Sequence, residues 1–135
     1  MFMRYIITCF VFILSACSNI HTEYAKADNA LDAGRGFIDA CLKGDFVKAS
    51  FYMIPDEKNK DCLIKLERQY REKNRDGRRQ YREASINIIE IANPTEAETI
   101  INYRNSYDRI AHKLKVIQQE NRWLVDFKYT FNPNL

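Results

Sequence analysis

Near Tyr81 the hydrophobic period of this chain changes, and that change constrains the fold more than any other feature. Upstream, apolar residues recur at helical spacing: Ala30, Ala33, Phe37, Ala40 and Cys41 follow a cap at Asp28 or Asn29 and stop at Gly44. Asp45 opens a short second helix carrying Phe46, Ala49 and Met53, closed by Pro55. Asp56 opens a third, with Cys62, Leu66, Tyr70 and Lys73 in one stripe and Asp76-Gly77 as its end. Downstream the period is two. Ser85 to Ala92 is rich in isoleucine, Asn93-Pro94 reads as a turn, and Ala97, Thr99, Ile101 and Tyr103 alternate with polar residues. Ile110, His112, Leu114 and Val116 form the next alternating run. After a turn at Glu120-Asn121 come Trp123, Val125, Phe127, Tyr129 and Phe131. Helices followed by an antiparallel meander predict an α+β domain, with three N-terminal helices packed on one face of a curved four-stranded antiparallel sheet.

The segment before the first helix reads as an address. Arg4 precedes an apolar run from Tyr5 to Leu14, which is too short for the roughly 20 residues that span a bilayer. Leu14-Ser15-Ala16-Cys17 resembles a bacterial lipobox. That resemblance implies a signal peptide over residues 1–16 and a diacylglycerol on the Cys17 sulfur, with further acylation of the new amino terminus. Each buried methylene contributes about 0.8 kcal/mol, so two or three acyl chains hold far more firmly than one. Ser18 to Ala27 has no sustained apolar period and reads as a tether, so residues 17–27 form the lipidated cysteine and its linker. Ten extended residues reach at most about 35 Å, which keeps any partner near the membrane. A serine rather than an aspartate after the cysteine resembles the outer-membrane default of such lipoproteins. The expected location is therefore the cell envelope, on the periplasmic side of the outer membrane.

About 118 residues follow Cys17, enough for one core, and residues 28–135 are expected to form a single domain. Net charge is only +3, with acids and bases interspersed, and export adds to the case against a nucleic-acid partner. Cys41 and Cys62 remain beyond the leader and anchor. An oxidising envelope allows them to pair as a disulfide, and two buried free thiols are the alternative. A metal pair lacks further ligands at a useful spacing, so no metal or cofactor is expected.

Gly36-Phe37-Ile38-Asp39-Ala40, then Gly44-Asp45-Phe46 with Ala49, and Arg122-Trp123-Leu124-Val125-Asp126-Phe127 near the end together resemble small envelope lipoproteins of the nuclear transport factor 2-like superfamily. The likeness covers nearly all of the chain after the leader. It implies a cystatin-like cone, in which helices and a bent sheet enclose a pocket that some members use for ligands or catalysis. Members often pair through the open sheet face, which implies a homodimer as one assembly. A shared fold does not transfer a function.

His112 is the first candidate for chemistry, because alternation places it on the face of Ile110, Leu114 and Val116. Beside a carboxylate such as Asp39 or Asp126 it would serve as a general base, and otherwise it is a hydrogen-bonded core or rim histidine. Phe37, Tyr70, Tyr103, Trp123, Phe127 and Tyr129 are the second candidate, as the wall of a pocket for a small apolar ligand or as the filled core itself. The third is a basic run through Lys65, Arg68, Arg71, Lys73, Arg75, Arg78, Arg79 and Arg82, interleaved with Glu67, Glu72, Asp76 and Glu83. It reads as a solvated, self-paired face or as a surface for anionic headgroups. No phosphate-cradling glycine loop, nucleophile elbow or histidine-rich metal spacing occurs. The leading expectation is a membrane-anchored, non-catalytic module for an envelope protein or a small apolar ligand. A dehydratase- or isomerase-like enzyme using His112 and a structural dimer are the alternatives.

Overall fold

The computed structural model describes residues 23–131. The expected signal peptide, Cys17, the first residues of the tether and the segment 132–135 lie outside them. Four helices precede the sheet: α1 (Ala30–Lys43), α2 (Phe46–Phe51), α3 (Glu57–Glu72) and α4 (Arg75–Arg82). The strands β1 (Ile86–Thr95), β2 (Glu98–Asn105), β3 (Ala111–Gln119) and β4 (Arg122–Asp126) pair antiparallel in chain order, and a short α5 (Lys128–Phe131) ends the described chain. The architecture is α+β with a four-stranded antiparallel sheet. No described helix is long and apolar enough to cross a membrane.

The caps explain where the first three helices begin. Asn29, Asp45 and Asp56 each accept a backbone N–H from three residues ahead, satisfying a donor that the first turn leaves free. Gly44 closes α1 in the left-handed region at φ 76°. The third helix departs from the sequence reading. It ends at Glu72, and Asn74 accepts the Gly77 N–H at 2.8 Å to start α4, so Asp76-Gly77 lies in a first turn rather than at a helix end. An acid near that terminus complements the helix dipole, which is why Asp76 suits a start as readily as a stop.

Two further corrections concern the strands. The first hairpin turns at Glu96-Ala97, not at Asn93-Pro94, because register shifts between Ile88 and Glu90 and between Ala92 and Thr95 absorb the extra residues. Proline is tolerated there because β1 is the outer strand of the sheet. At the other end, β4 stops at Asp126, so Tyr129 and Phe131 belong to α5 and not to a strand. The turn between β3 and β4 is at Glu120-Asn121 as read, with φ of 47° and 61°, the two positive values that match a tight hairpin to strand twist.

Helix α1 lies across β2, β3 and β4. Phe37, Ile101, Leu114, Val116 and Val125 are almost wholly buried between helix and sheet. A Cβ on Gly34 would stand 2.5 Å from Ile101 Cδ1, so glycine sets how closely helix and strand approach. The free edge of β4 is covered by the segment after α2. The Val125 N–H donates to the Tyr52 carbonyl at 2.8 Å, and the Ile54 N–H donates to the Val125 carbonyl at 2.9 Å. That arrangement occupies backbone groups an open edge would expose.

Below this edge sits a buried polar cluster centred on Asn59, which has no exposed surface. Its amide nitrogen donates to Asp126 Oδ1 at 3.2 Å and Asp56 Oδ2 at 3.0 Å, and its carbonyl oxygen accepts the Lys128 N–H at 2.7 Å. The Lys128 ammonium reaches the same two carboxylates at 2.6 and 2.9 Å. Burial works against the charge on Lys128 but is outweighed by the bonds to Asp126 and Asp56, and its pKa is raised. Asn59→Ala strands the Lys128 N–H and removes a donor from each carboxylate, which is expected to cost on the order of 3 kcal/mol. Urea denaturation of the variant against the parent measures this.

Candidate functional site

A cavity of about 290 Å³ opens at the end of the sheet where β2 meets the loop to β3. Helix α1 contributes Phe37, Ile38, Cys41 and Leu42, and α3 contributes Leu66, Gln69 and Tyr70. Lys73 and Tyr81 stand at the mouth with Tyr107, while Tyr103, Asn105, Asp108 and His112 come from the sheet and its loop. Phe127, Thr130 and Phe131 close the remaining side. The Phe37 and Phe127 rings pack at 4.8 Å, and Phe131 meets Phe127 edge-on at 5.2 Å. The walls are mostly apolar with a few polar groups at one end, the usual composition of a small-molecule site.

The structure brings Phe37, Tyr70, Tyr103, His112 and Phe127 to this cavity and leaves Trp123 and Tyr129 outside it. Trp123 pairs with Gln118 at the opposite end of the sheet and packs half-buried against the core. Tyr129 turns away because the chain becomes helical after Phe127, and its ring lies 5.5 Å from the Lys115 ammonium. Ile110, read as part of the inward face of β3, precedes that strand and is exposed.

His112 has a carboxylate partner, but it is neither of those the sequence suggested. Asp39 pairs with Lys43 at 2.9 Å on the outer side of α1, and Asp126 is held by Asn59 and Lys128. The partner is Asp108, whose Oδ2 lies 2.9 Å from His112 Nε2. The loop that places it is built on Asn105, whose side-chain oxygen accepts the N–H groups of Tyr107 and Asp108 at 2.9 and 3.0 Å. The signal was present as an asparagine at the end of a strand followed by Ser-Tyr-Asp, an Asx-turn composition. Arg109 completes the turn at φ 59°.

A carboxylate can only accept, so the Nε2 position carries the proton in this pair, and Nδ1 is the ring's other polar atom. Burial pushes the Asp108 carboxyl up, but the Ile110 N–H, His112 and Asn105 together hold it below its ordinary value. Tyr103 stands directly opposite His112 in the β2–β3 register, with ring centroids 5.4 Å apart. It is nine-tenths buried. Burial pushes its pKa up, as it does for Tyr81, which reaches about 12. Both therefore present neutral O–H groups at neutral pH. The pair of His112 and Tyr103 supplies one acceptor and one donor to whatever fills the cavity.

Cys41 and Cys62 are both free, so the pairing weighed from the sequence is not formed. Cys41 lines the cavity but is almost wholly buried, and burial raises its pKa, which suppresses the thiolate needed for nucleophilic chemistry. Among the described residues no group of three histidine, cysteine or acidic side chains gathers as metal ligands. The basic run is partly self-paired: Arg71 bonds Glu67, Arg79 lies 3.4 Å from Asp76, and Arg78 caps α3 through the Lys73 carbonyl at 2.6 Å.

The cavity groups contribute to the pH response. Cys41, Tyr81 and Tyr103 hold their protons more tightly when folded, so their contribution is complete below about pH 9 and declines as pH rises past the ordinary thiol and phenol values. Denaturant midpoints are expected to fall from about pH 9 towards pH 12, and Tyr81→Phe should flatten the part above pH 10. Asp108 has the opposite sense. Its contribution is present above the ordinary carboxyl value of 3.8 and is lost as pH falls through its lowered one, so Asp108→Asn should reduce the acid sensitivity of the midpoint.

Comparison with protein-family models, with curated proteins and with solved structures finds no match for this chain.

Proposed function

We propose that this chain is a lipid-anchored envelope protein whose folded part is a nuclear transport factor 2-like cone that binds a small, largely apolar ligand. The observation that carries the reading is the cavity itself: about 290 Å³ lined by Phe37, Ile38, Leu42, Leu66 and Phe127, with Tyr103 and His112 at its polar end. A core that served only stability would close such a space, because interiors pack to crystal-like density. Ligand pockets commonly span about 300–1,000 Å³, and a dry cavity of about 150 Å³ already takes benzene. The volume here therefore suits a molecule of one or two rings or a short branched chain. Four helices and a four-stranded antiparallel sheet in this order are compatible with the cone. The lipobox-like Leu14-Ser15-Ala16-Cys17 supports the anchor.

Native mass spectrometry of the protein extracted from its own membrane should detect a retained small molecule. Leu66→Trp, which fills the cavity from α3, should lose that molecule while keeping the parent circular dichroism spectrum. An empty parent protein counts against ligand storage. Cys17→Ser should release the protein from the membrane fraction, and a variant that stays bound would remove the lipid-anchor reading.

His112 supports a second reading, a dehydratase- or isomerase-like enzyme. It faces the cavity with Asp108 at 2.9 Å, so its second nitrogen is available to take a proton from a bound molecule. Under this reading His112→Ala abolishes turnover while binding persists. Under the binding reading the same variant changes affinity only modestly.

A further inference from the structure

We infer that the ligand of this cavity carries a carboxylate: a small apolar carboxylic acid with its hydrocarbon or aryl body between Phe37, Leu42 and Phe127 and its head group at Lys73. The inference rests on the binding reading above and narrows it to a ligand class. Lys73 lines the cavity where α3 ends, and no ion pair among the described residues includes it. Its ammonium lies 5.2 Å from the Tyr81 ring centroid, 4.9 Å from that of Tyr107, and 3.4 Å from the Tyr107 hydroxyl. Two aromatic faces hold the cation over the opening. They offer no lone pair to its N–H bonds, so of three donors only one has a protein acceptor.

Asp108, the one carboxylate lining the cavity, is engaged by the Ile110 N–H at one oxygen and the His112 ring at the other, so its hydrogen bonds go to these partners and not to Lys73. Tyr103, largely buried, also lines the cavity. An acceptor-only head group complements the free N–H donors of the Lys73 ammonium. A cationic ligand would meet Lys73 as a like charge, and a pure hydrocarbon would offer its ammonium no acceptor.

Ligand-observed NMR on the full chain in lipid nanodiscs at neutral pH tests this with phenylacetate and its uncharged shape-mate phenylacetamide. Phenylacetate is expected to bind tighter by about tenfold or more, the usual range for a hydrogen bond to a charged group. Lys73→Gln should erase that preference by weakening phenylacetate alone, and Lys73→Arg should restore most of it. Equal binding of the two probes to the parent, or a preference that survives Lys73→Gln, overturns the carboxylate class and leaves the apolar cavity standing. Failure of both probes to bind overturns the cavity reading as well.

Discussion

The carboxamide of Asn59 is the contact on which the site depends. It takes the Lys128 N–H, which a continuing strand would have pointed along the sheet, and holds it beneath α3. Asp126 and Asp56 complete the cluster, so the chain leaves the sheet at Phe127 and winds into α5. Had β4 continued, Phe131 would have extended a ladder beside β3. Instead α5 takes that place, with Thr130 donating to the Lys113 carbonyl at 2.9 Å and Phe131 turned to the cavity. A fully buried polar group is costly without partners, and this one has every partner it needs.

The second constraint is strand register. Tyr103 and His112 are neighbours because β2 and β3 pair at those positions, and a slip of one residue would turn both side chains to the other face. The Asx turn at Asn105 then brings Asp108 back to the imidazole four residues before His112 in the chain. Strand pairing and turn chemistry thus assemble an acceptor, a donor and a fixed carboxylate against walls supplied by α1 and α3. Lys73 stands across the mouth because α3 ends there and Asn74 starts a new helix at once.

Much of this was legible in the residues. Caps at Asn29, Asp45 and Asp56, the stop at Gly44 and the turn at Glu120-Asn121 are local signals with local causes, and the structure has them at those positions. The errors fall where a local signal has two meanings. Asp76-Gly77 ends a helix or begins one, depending on whether Asn74, two residues before Asp76, caps. Asn93-Pro94 turns a chain or sits in an edge strand, depending on bulges that only a partner strand creates. The alternation through Tyr129 and Phe131 suits a strand, while Phe127 and Phe131, four residues apart, suit one side of a short helix as well.

The site divides the same way. Composition and period alone determined an α+β chain in which Tyr103 and His112 share the inner face of a sheet, because side-chain direction follows from backbone period. Which acid would meet His112, which aromatics would face the cavity and which cation would guard it were decided only by the tertiary structure. Those outcomes rest on contacts between residues far apart in the chain, such as Asn59 with Lys128 and Lys73 with Tyr107. No period within a single segment encodes the distance between two others.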